Sequence, residues 1–300
     1  SKLLALLLAC AMTLALSACG GNSATTSTPA SSAAPAASGS AAATGDKTYT
    51  IGICQLVQHN ALDAATKGFK DALTEKLGDK VKFDEQNAAG DSATCATICN
   101  QFVSSNVDLI MANATPALQA ATAATNSIPI LGTSVTDYGT ALSIADWKGT
   151  TGTNVTGTAD LAPLDKQAEM IKTLFPDKKN VGILYCSAEP NSKYQSTEIT
   201  KYLTDAGYTC KEYTFADSND VAAVTKTACD ESDVLYVPTD NTAASCAESI
   251  NNIAEPAKVP IVAGEAGICT GCGVATLSID YYDLGVVTGN MAYEVLVNGA

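Results

Sequence analysis

Arginine is absent from the 300 residues: all 17 basic side chains are lysine, against 31 Asp and Glu, giving a net charge of −14. Without arginine, and with an acidic balance, nucleic-acid binding is disfavoured, because it leans on Arg and Lys patches against phosphate. No guanidinium fork is available to hold a carboxylate or phosphate. An anionic ligand must therefore rest on hydroxyls, on backbone N–H groups at helix N-termini, or on a lysine. Histidine occurs once, at His59. A single histidine leaves no His pair for a metal, and no Gly-x-Ser-x-Gly nucleophile elbow appears. Nothing brings two carboxylates together for hydrolysis, and no nucleophile–base pair is visible, so an enzyme is the weaker reading and no cofactor or metal is expected. What remains is a chain with 46% hydrophobic and only 16% charged residues, ample for a folded core of one or two domains.

The apolar run Leu3–Leu16 behind Lys2 is short for a membrane span and suits the h-region of a signal. The chain begins without Met, so a few preceding residues are expected. The run ends in Leu16-Ser17-Ala18-Cys19-Gly20, which resembles the lipobox of bacterial lipoproteins. That resemblance implies cleavage before Cys19, lipidation of its sulfur, and anchoring at the outer face of the cell membrane. Residues 1–18 are thus expected as signal peptide. Residues 19–47, nearly all Gly, Ser, Thr, Ala, Pro and Asn, are expected as a flexible tether that cannot bury enough surface to fold.

The stretch Tyr49–Asp63 sets the pattern for the rest. Tyr49–Cys54 is rich in β-formers, Gln55–Asn60 is polar, and a 3.6-residue stripe then runs through Leu62, Ala65, Phe69 and Leu73. Asn60 reads as a helix N-cap and Asp63 as an acid in the first turn. Strands are predicted at Thr48–Gln55, Val81–Asn87, Asp108–Asn113, Ile128–Thr133 and Thr151–Gly157. The intervening helices are predicted at Ala61–Leu77, Ser92–Ser105 and Pro116–Thr125. After a helix over Asp160–Leu174 the rhythm restarts, with strands at Val181–Cys186, Tyr208–Phe215, Val234–Pro238, Pro260–Ala263 and Val274–Ile279. Helices over Ser192–Ala206, Asp220–Cys229, Ala243–Ala254 and Asp283–Val297 complete the pattern. The fold class is α/β, with two Rossmann-like lobes of parallel sheet and a ligand cleft between them. Lobe 1 comprises 48–157 plus 280–300, and lobe 2 comprises 158–279.

In open parallel sheets the ligand lies outside the carboxyl ends of the strands. Those ends carry polar clusters here: Gln55 and His59; Asn87; Thr115; Ser134, Thr136 and Asp137; Glu189, Asn191 and Ser192; Asp240 and Asn241; and Asp280. Any one of them has a plain reading as a cap or turn residue. Taken together, hydroxyls on lobe 1 and acids on lobe 2 suit a zwitterion. Thr115, Ser134 and Thr136 would accept its carboxylate, and Asp240 or Glu189 would pair with its ammonium. His59 is open between base, ligand contact and turn residue, with catalysis the weakest of the three. Tyr138, Tyr281 and Tyr282 are the aromatic candidates for the cleft. Beyond Cys10 and Cys19, nine cysteines remain, an odd number. Most read as free thiols, with Cys269–Cys272 the favoured exception as a disulfide.

The ordered pieces IGICQLVQHNALDAATKGF, ATPALQAA, SVTDYG, TNVTG, GILYCSAEPNS, VPTDNTAAS and IDYYDLGVVTG resemble the substrate-binding lipoproteins of ABC importers for aromatic amino acids, over roughly 48–299. The resemblance implies the type I periplasmic-binding-protein fold, closing on its ligand like a flytrap. It further implies a non-enzymatic monomer that hands a free amino acid (Tyr, Phe or Trp) to permease transmembrane subunits. It carries ligand-contact roles onto Gln55, His59, Thr115, Thr136, Asp137, Glu189, Asn191, Ser192, Asp240, Asn241 and Asp280. Two departures stand out: Tyr138 where the family commonly has Pro, and Asn60 after His59. It also implies that a third crossing strand and a final strand lie beyond Ala300. The alternatives are a receptor for a branched-chain amino acid, nucleoside or purine, a ligand-sensing subunit, or an enzyme on the same scaffold.

Overall fold

A computed structural model describes residues 47–300, so the expected signal, lipidation site and most of the tether lie outside the described residues. Strand and helix alternate from Tyr49 onward. The first half runs β1 (Tyr49–Gln55), α1 (Asn60–Leu77), β2 (Val81–Asn87), α2 (Ser92–Ser104), β3 (Leu109–Asn113), α3 (Thr115–Ala124), β4 (Ile130–Val135), α4 (Tyr138–Ala141) and β5 (Val155–Ala159). The second runs α5 (Leu164–Leu174), β6 (Asn180–Cys186), α6 (Pro190–Asp205), β7 (Thr209–Phe215), α7 (Val221–Glu231), β8 (Val234–Val237), α8 (Asn241–Ser245), α9 (Ala247–Ala257), β9 (Ile261–Ala263), α10 (Ala266–Cys272), β10 (Ala275–Thr276) and α11 (Tyr281–Tyr293). A short π-helical turn, Glu294–Asn298, extends α11.

The strands form two five-stranded sheets, ordered β2-β1-β3-β4-β5 and β10-β9-β8-β6-β7, with every pairing parallel. Central strands such as β3 and β4 are buried along their whole length, because helices cover both faces. Two segments cross between the sheets, residues 160–163 after β5 and 277–280 after β10. The edge strands β5 and β10 therefore mark the hinge side, and the opposite edges, β2 and β7, mark the mouth.

The last helix returns to the first sheet and lies on α1 at very close range. A Cβ on Gly285 would stand 2.0 Å from the Ala65 carbonyl oxygen, and one on Gly68 would stand 2.1 Å from that of Tyr282. Only glycine lets the two backbones approach so closely.

Several elements differ from the sequence reading, each for a local reason. Asn60 is the first helical residue of α1 and His59 occupies the cap position, with no side-chain cap. Helix α5 starts at Leu164, not Asp160, since the residue before Pro163 is kept out of helical conformation. The predicted strand before it shifts to Val155–Ala159. The predicted helix at Ala243–Ala254 is two helices that meet at Cys246. Helix α10 takes in the Cys269-Thr270-Gly271-Cys272 run. The expected disulfide there is not formed: both cysteines are free, and the Cys272 thiol turns back to donate to the Ile268 carbonyl at 3.4 Å.

Candidate functional site

The carboxyl ends of the two sheets face each other. On lobe 1, Gln55 ends β1 fully engaged within its own lobe. Its Nε2 donates to Asp63 Oδ1 at 2.7 Å and to the Val57 carbonyl at 3.0 Å, while Oε1 accepts from Thr66 Oγ1 at 2.6 Å. Gln55 thus pins the loop and α1 to the sheet, and Asp63 answers that amide instead of free helix N–H groups. Three other predicted residues are engaged locally. Asn87 accepts from the Ala89 N–H in an exposed turn, Asp137 caps α4 through Thr140, and exposed Asp280 caps α11 through Asp283.

The aromatic candidates separate in the same way. Tyr138 points into lobe 1, donating to the Gly132 and Thr158 carbonyls and stacking on Trp147. Tyr282 lies outside on α11, donating to Asp71. Tyr281 alone sits at the hinge end of the cleft, buried, with its hydroxyl donating to Asp160 at 2.8 Å.

On lobe 2 the two acids expected to meet an ammonium are already occupied. Glu189 accepts from Asn191 Nδ2, from the Asn241 N–H and Nδ2, and from the Thr242 N–H and Oγ1, at 2.7–3.0 Å. Asp240 accepts from the Cys186 N–H, Ser192 Oγ and the Ala243 N–H, each at 2.7 Å. Burial and the neighbouring Glu189 charge push the Asp240 carboxyl up to about 8. This pair knots β6, β8, α6 and α8 into one rigid wall.

Contacts between the lobes complete the geometry. His59 Nε2 lies 3.2 Å from Asn241 Oδ1, whose amide nitrogen is fixed by Glu189. The histidine is therefore set as the Nε2–H donor, which leaves Nδ1 as a buried acceptor with no partner. Gln195 of α6 reaches Thr136 Oγ1 at 3.5 Å, and Thr136 donates to Asp160 Oδ1 at 3.1 Å.

Eight buried side-chain polar atoms lack any partner among the described residues. Seven of them stand at or just past strand carboxyl ends: His59 Nδ1, Asn113 Oδ1, Thr115 Oγ1 and Ser134 Oγ on lobe 1, and Asn191 Oδ1, Thr239 Oγ1 and Thr276 Oγ1 on lobe 2. Each costs about 1–3 kcal/mol while it is unpaired. Their concentration on two facing walls marks a site built for a polar ligand. Two of lobe 1's helices that start there, α1 and α3, also have no side-chain cap, so no side chain of the cap residue occupies their first N–H groups, of which α3 has one fewer because Pro116 carries none.

Toward the mouth the cleft widens into a cavity of about 330 Å3. Its apolar lining is Leu56, Val57 and Pro116 from lobe 1 and Cys186, Ala188 and Ala216 from lobe 2. A larger hollow of about 600 Å3 lies near the amino ends of β4 and β5, lined by Gln119, Thr122, Thr153 and neighbours, none of them ionisable. Its lining comes from lobe 1 alone, whereas the 330 Å3 cavity takes residues from both lobes, so the interlobe cleft is the stronger candidate. Two signals escaped the sequence reading: Asp160, which reads as a helix start, and Gln195, which becomes visible only when the lobes face each other.

The comparisons with known proteins agree with this architecture. Residues 50–300 match the family model described as ABC transporter substrate binding protein. A protein of Clostridioides difficile (strain R20291) named tyrosine-binding protein is 41% identical over 253 residues, which is 83% of this chain and 73% of that protein. An ABC domain of Streptococcus pneumoniae solved in complex with L-Trp is 36% identical, with a TM-score of 0.81 over 85% of this chain and 86% of that one. A ligand-free, open substrate-binding protein of Clostridium difficile is 39% identical, covering 84% of this chain and 86% of that one, yet its TM-score is 0.60. Similar identity with unequal superposition places this structure nearer the liganded arrangement of lobes than the open one. By fold, by the facing strand ends and by these matches, the chain belongs to the ABC transporter substrate-binding protein family.

Proposed function

We propose that the protein captures a free aromatic amino acid in the interlobe cleft and delivers it to the transmembrane subunits of an ABC importer. The observation that carries this is the set of unpartnered buried polar atoms on both walls, together with a cavity of about 330 Å3 lined partly by apolar side chains and partly by polar ones such as Asp91, Asp217 and Asn219. That volume lies within the ~300–1,000 Å3 typical of small-molecule sites. A zwitterion supplies what the polar part lacks: its carboxylate accepts from Thr115 Oγ1, Ser134 Oγ and the N-terminus of α3. The ring occupies the apolar part between Leu56, Val57, Pro116 and Ala188. Kinship with a protein named for tyrosine and with one holding L-Trp supports a ring-bearing ligand.

In this reading Gln55, Glu189, Ser192 and Asp240 act as organisers of the walls, while His59, Thr115, Ser134, Asn191 and Thr239 face the ligand. The protein works as a lipid-anchored monomer outside the membrane, held through Cys19 on the tether of residues 19–47, with β1 to β5 and α11 as one lobe and α5 to β10 as the other. The test is a thermal-shift screen of the purified protein over amino acids, nucleosides and sugars. Tyr, Phe or Trp should give the largest rise in melting temperature, and a larger rise with a nucleoside or sugar would overturn the assignment.

A further inference from the structure

We propose that Asp160 is the counter-ion of the bound amino acid's ammonium group, and so the residue that makes the cleft select α-amino acids over the same ring-bearing acids without an amine. The inference rests on the amino-acid reading above and deepens it.

Asp160 ends the first sheet at the hinge side of the cleft and is 3% exposed. Its two carboxylate oxygens accept one hydrogen bond each, from Thr136 Oγ1 and the Tyr281 hydroxyl, and leave lone pairs free. The other buried acids of the cleft cap helices: Glu189 and Asp240 lie at the start of α8, and Glu265 caps α10 through the Gly267 and Ile268 N–H groups. No helix starts on Asp160, and none of the ion pairs among the described residues includes it. The groups facing it are Tyr281 of α11, Tyr138 of α4, Glu265 at α10 and Thr136. None is a cation. A buried carboxylate without one is costly, and an ammonium beside it removes that cost.

Neighbouring positions point to the same ligand. Ser134 and Thr115, 5% and 2% exposed on the adjoining strand ends, hold hydroxyls with no partner, as does Thr239 opposite. Hydroxyls able to donate to a carboxylate thus stand at the ends of β3 and β4, on the side of the sheet that leads to Asp160. Both sheets run in the same order from hinge to mouth, so the head group lies toward β4, β5 and β9, and the ring lies toward β1, β2, β6 and β7. Burial, with the Glu265 charge beside it, raises the Asp160 carboxyl to about 6, so proton uptake there competes with ammonium binding.

The experiment is calorimetry on the purified protein at pH 7.5 and pH 5, with L-tryptophan and L-tyrosine and with indole-3-propionate and 3-(4-hydroxyphenyl)propionate, which keep ring and carboxylate but lack the amine. The affinity for the amino acids should fall about tenfold from pH 7.5 to pH 5, as expected for one linked site titrating near 6. The desamino acids should bind more weakly and without that dependence. Asp160→Asn should weaken amino-acid binding roughly 100-fold, remove its pH dependence and leave the desamino acids unaffected. If the variant does not fold, the wild-type comparison of the two ligand classes decides. Equal pH response for both classes, or no response at all, overturns the role of Asp160. Binding of neither class overturns the amino-acid reading itself.

Discussion

At the scale of single residues the cleft contains two kinds of buried polar side chain, and they should respond oppositely to substitution. Thr115 Oγ1 makes no hydrogen bond in the unliganded protein. Thr115→Val keeps the shape and removes an unpaired hydroxyl, so stability should hold or rise by up to about 1 kcal/mol while ligand affinity drops about tenfold. Thermal unfolding and calorimetry on the same sample check both halves, and loss of stability together with affinity would assign Thr115 to the scaffold. Gln55 is the reverse case. Gln55→Ala leaves Asp63 and Thr66 without their buried partner and should cost about 2–4 kcal/mol in chemical denaturation, whatever the ligand.

Acid titration belongs to this scale too. Asp160 is raised to about 6 and Asp240 to about 8 from an ordinary 3.8, so between those values the folded chain holds protons the unfolded chain has released. Stability contributed by these groups is therefore greatest at low pH and declines as pH rises through the window from about 4 to 8. The unliganded protein should melt at a higher temperature at pH 5 than at pH 8, and Asp240→Asn should flatten the upper part of that slope. A melting temperature that climbs from pH 5 to pH 8 would contradict the account.

At the scale of elements, the alternation of apolar runs with 3.6-residue stripes made nearly every strand and long helix legible. Strand β2 matches its predicted ends, and α1 differs by one residue. What stayed hidden had physical causes. Helices α4 and α10 are too short, at four and seven residues, to show a periodicity. Asp160 precedes a helix-like pattern and so resembles a cap, but Pro163 delays the helix and leaves the carboxylate at the hinge. Tyr138 looked like a cleft aromatic because it follows a strand end, yet its hydroxyl has two carbonyls to satisfy inside lobe 1. Strand-end position narrows a site to a set of residues. It does not show which polar atoms are already paired, and that decides between organiser and ligand contact.

The contact of α1 with α11 holds the last helix on the first sheet. Gly285→Ala would place a methyl 2.0 Å from the Ala65 carbonyl and force the helices apart. A loss of about 3 kcal/mol or more is expected in thermal or denaturant unfolding. An unchanged midpoint would show that the crossing is looser than described.

At the scale of the molecule, two side-chain hydrogen bonds among the described residues join the lobes beside the cleft, His59 with Asn241 and Thr136 with Gln195, while α4 packs on α6 and α1 on α10. The bonds are few, as expected for a hinge whose open and closed states differ by little free energy until a ligand fills the cleft. The unpartnered atoms sit on the facing walls of this closed arrangement, so ligand capture and closure are one event. The most direct measurement of that claim is a calorimetric titration of the protein with each of the twenty amino acids. The account predicts one site per chain, saturable by Tyr, Phe or Trp, with a negative heat-capacity change from burying the ring. No heat with any of the twenty would contradict it.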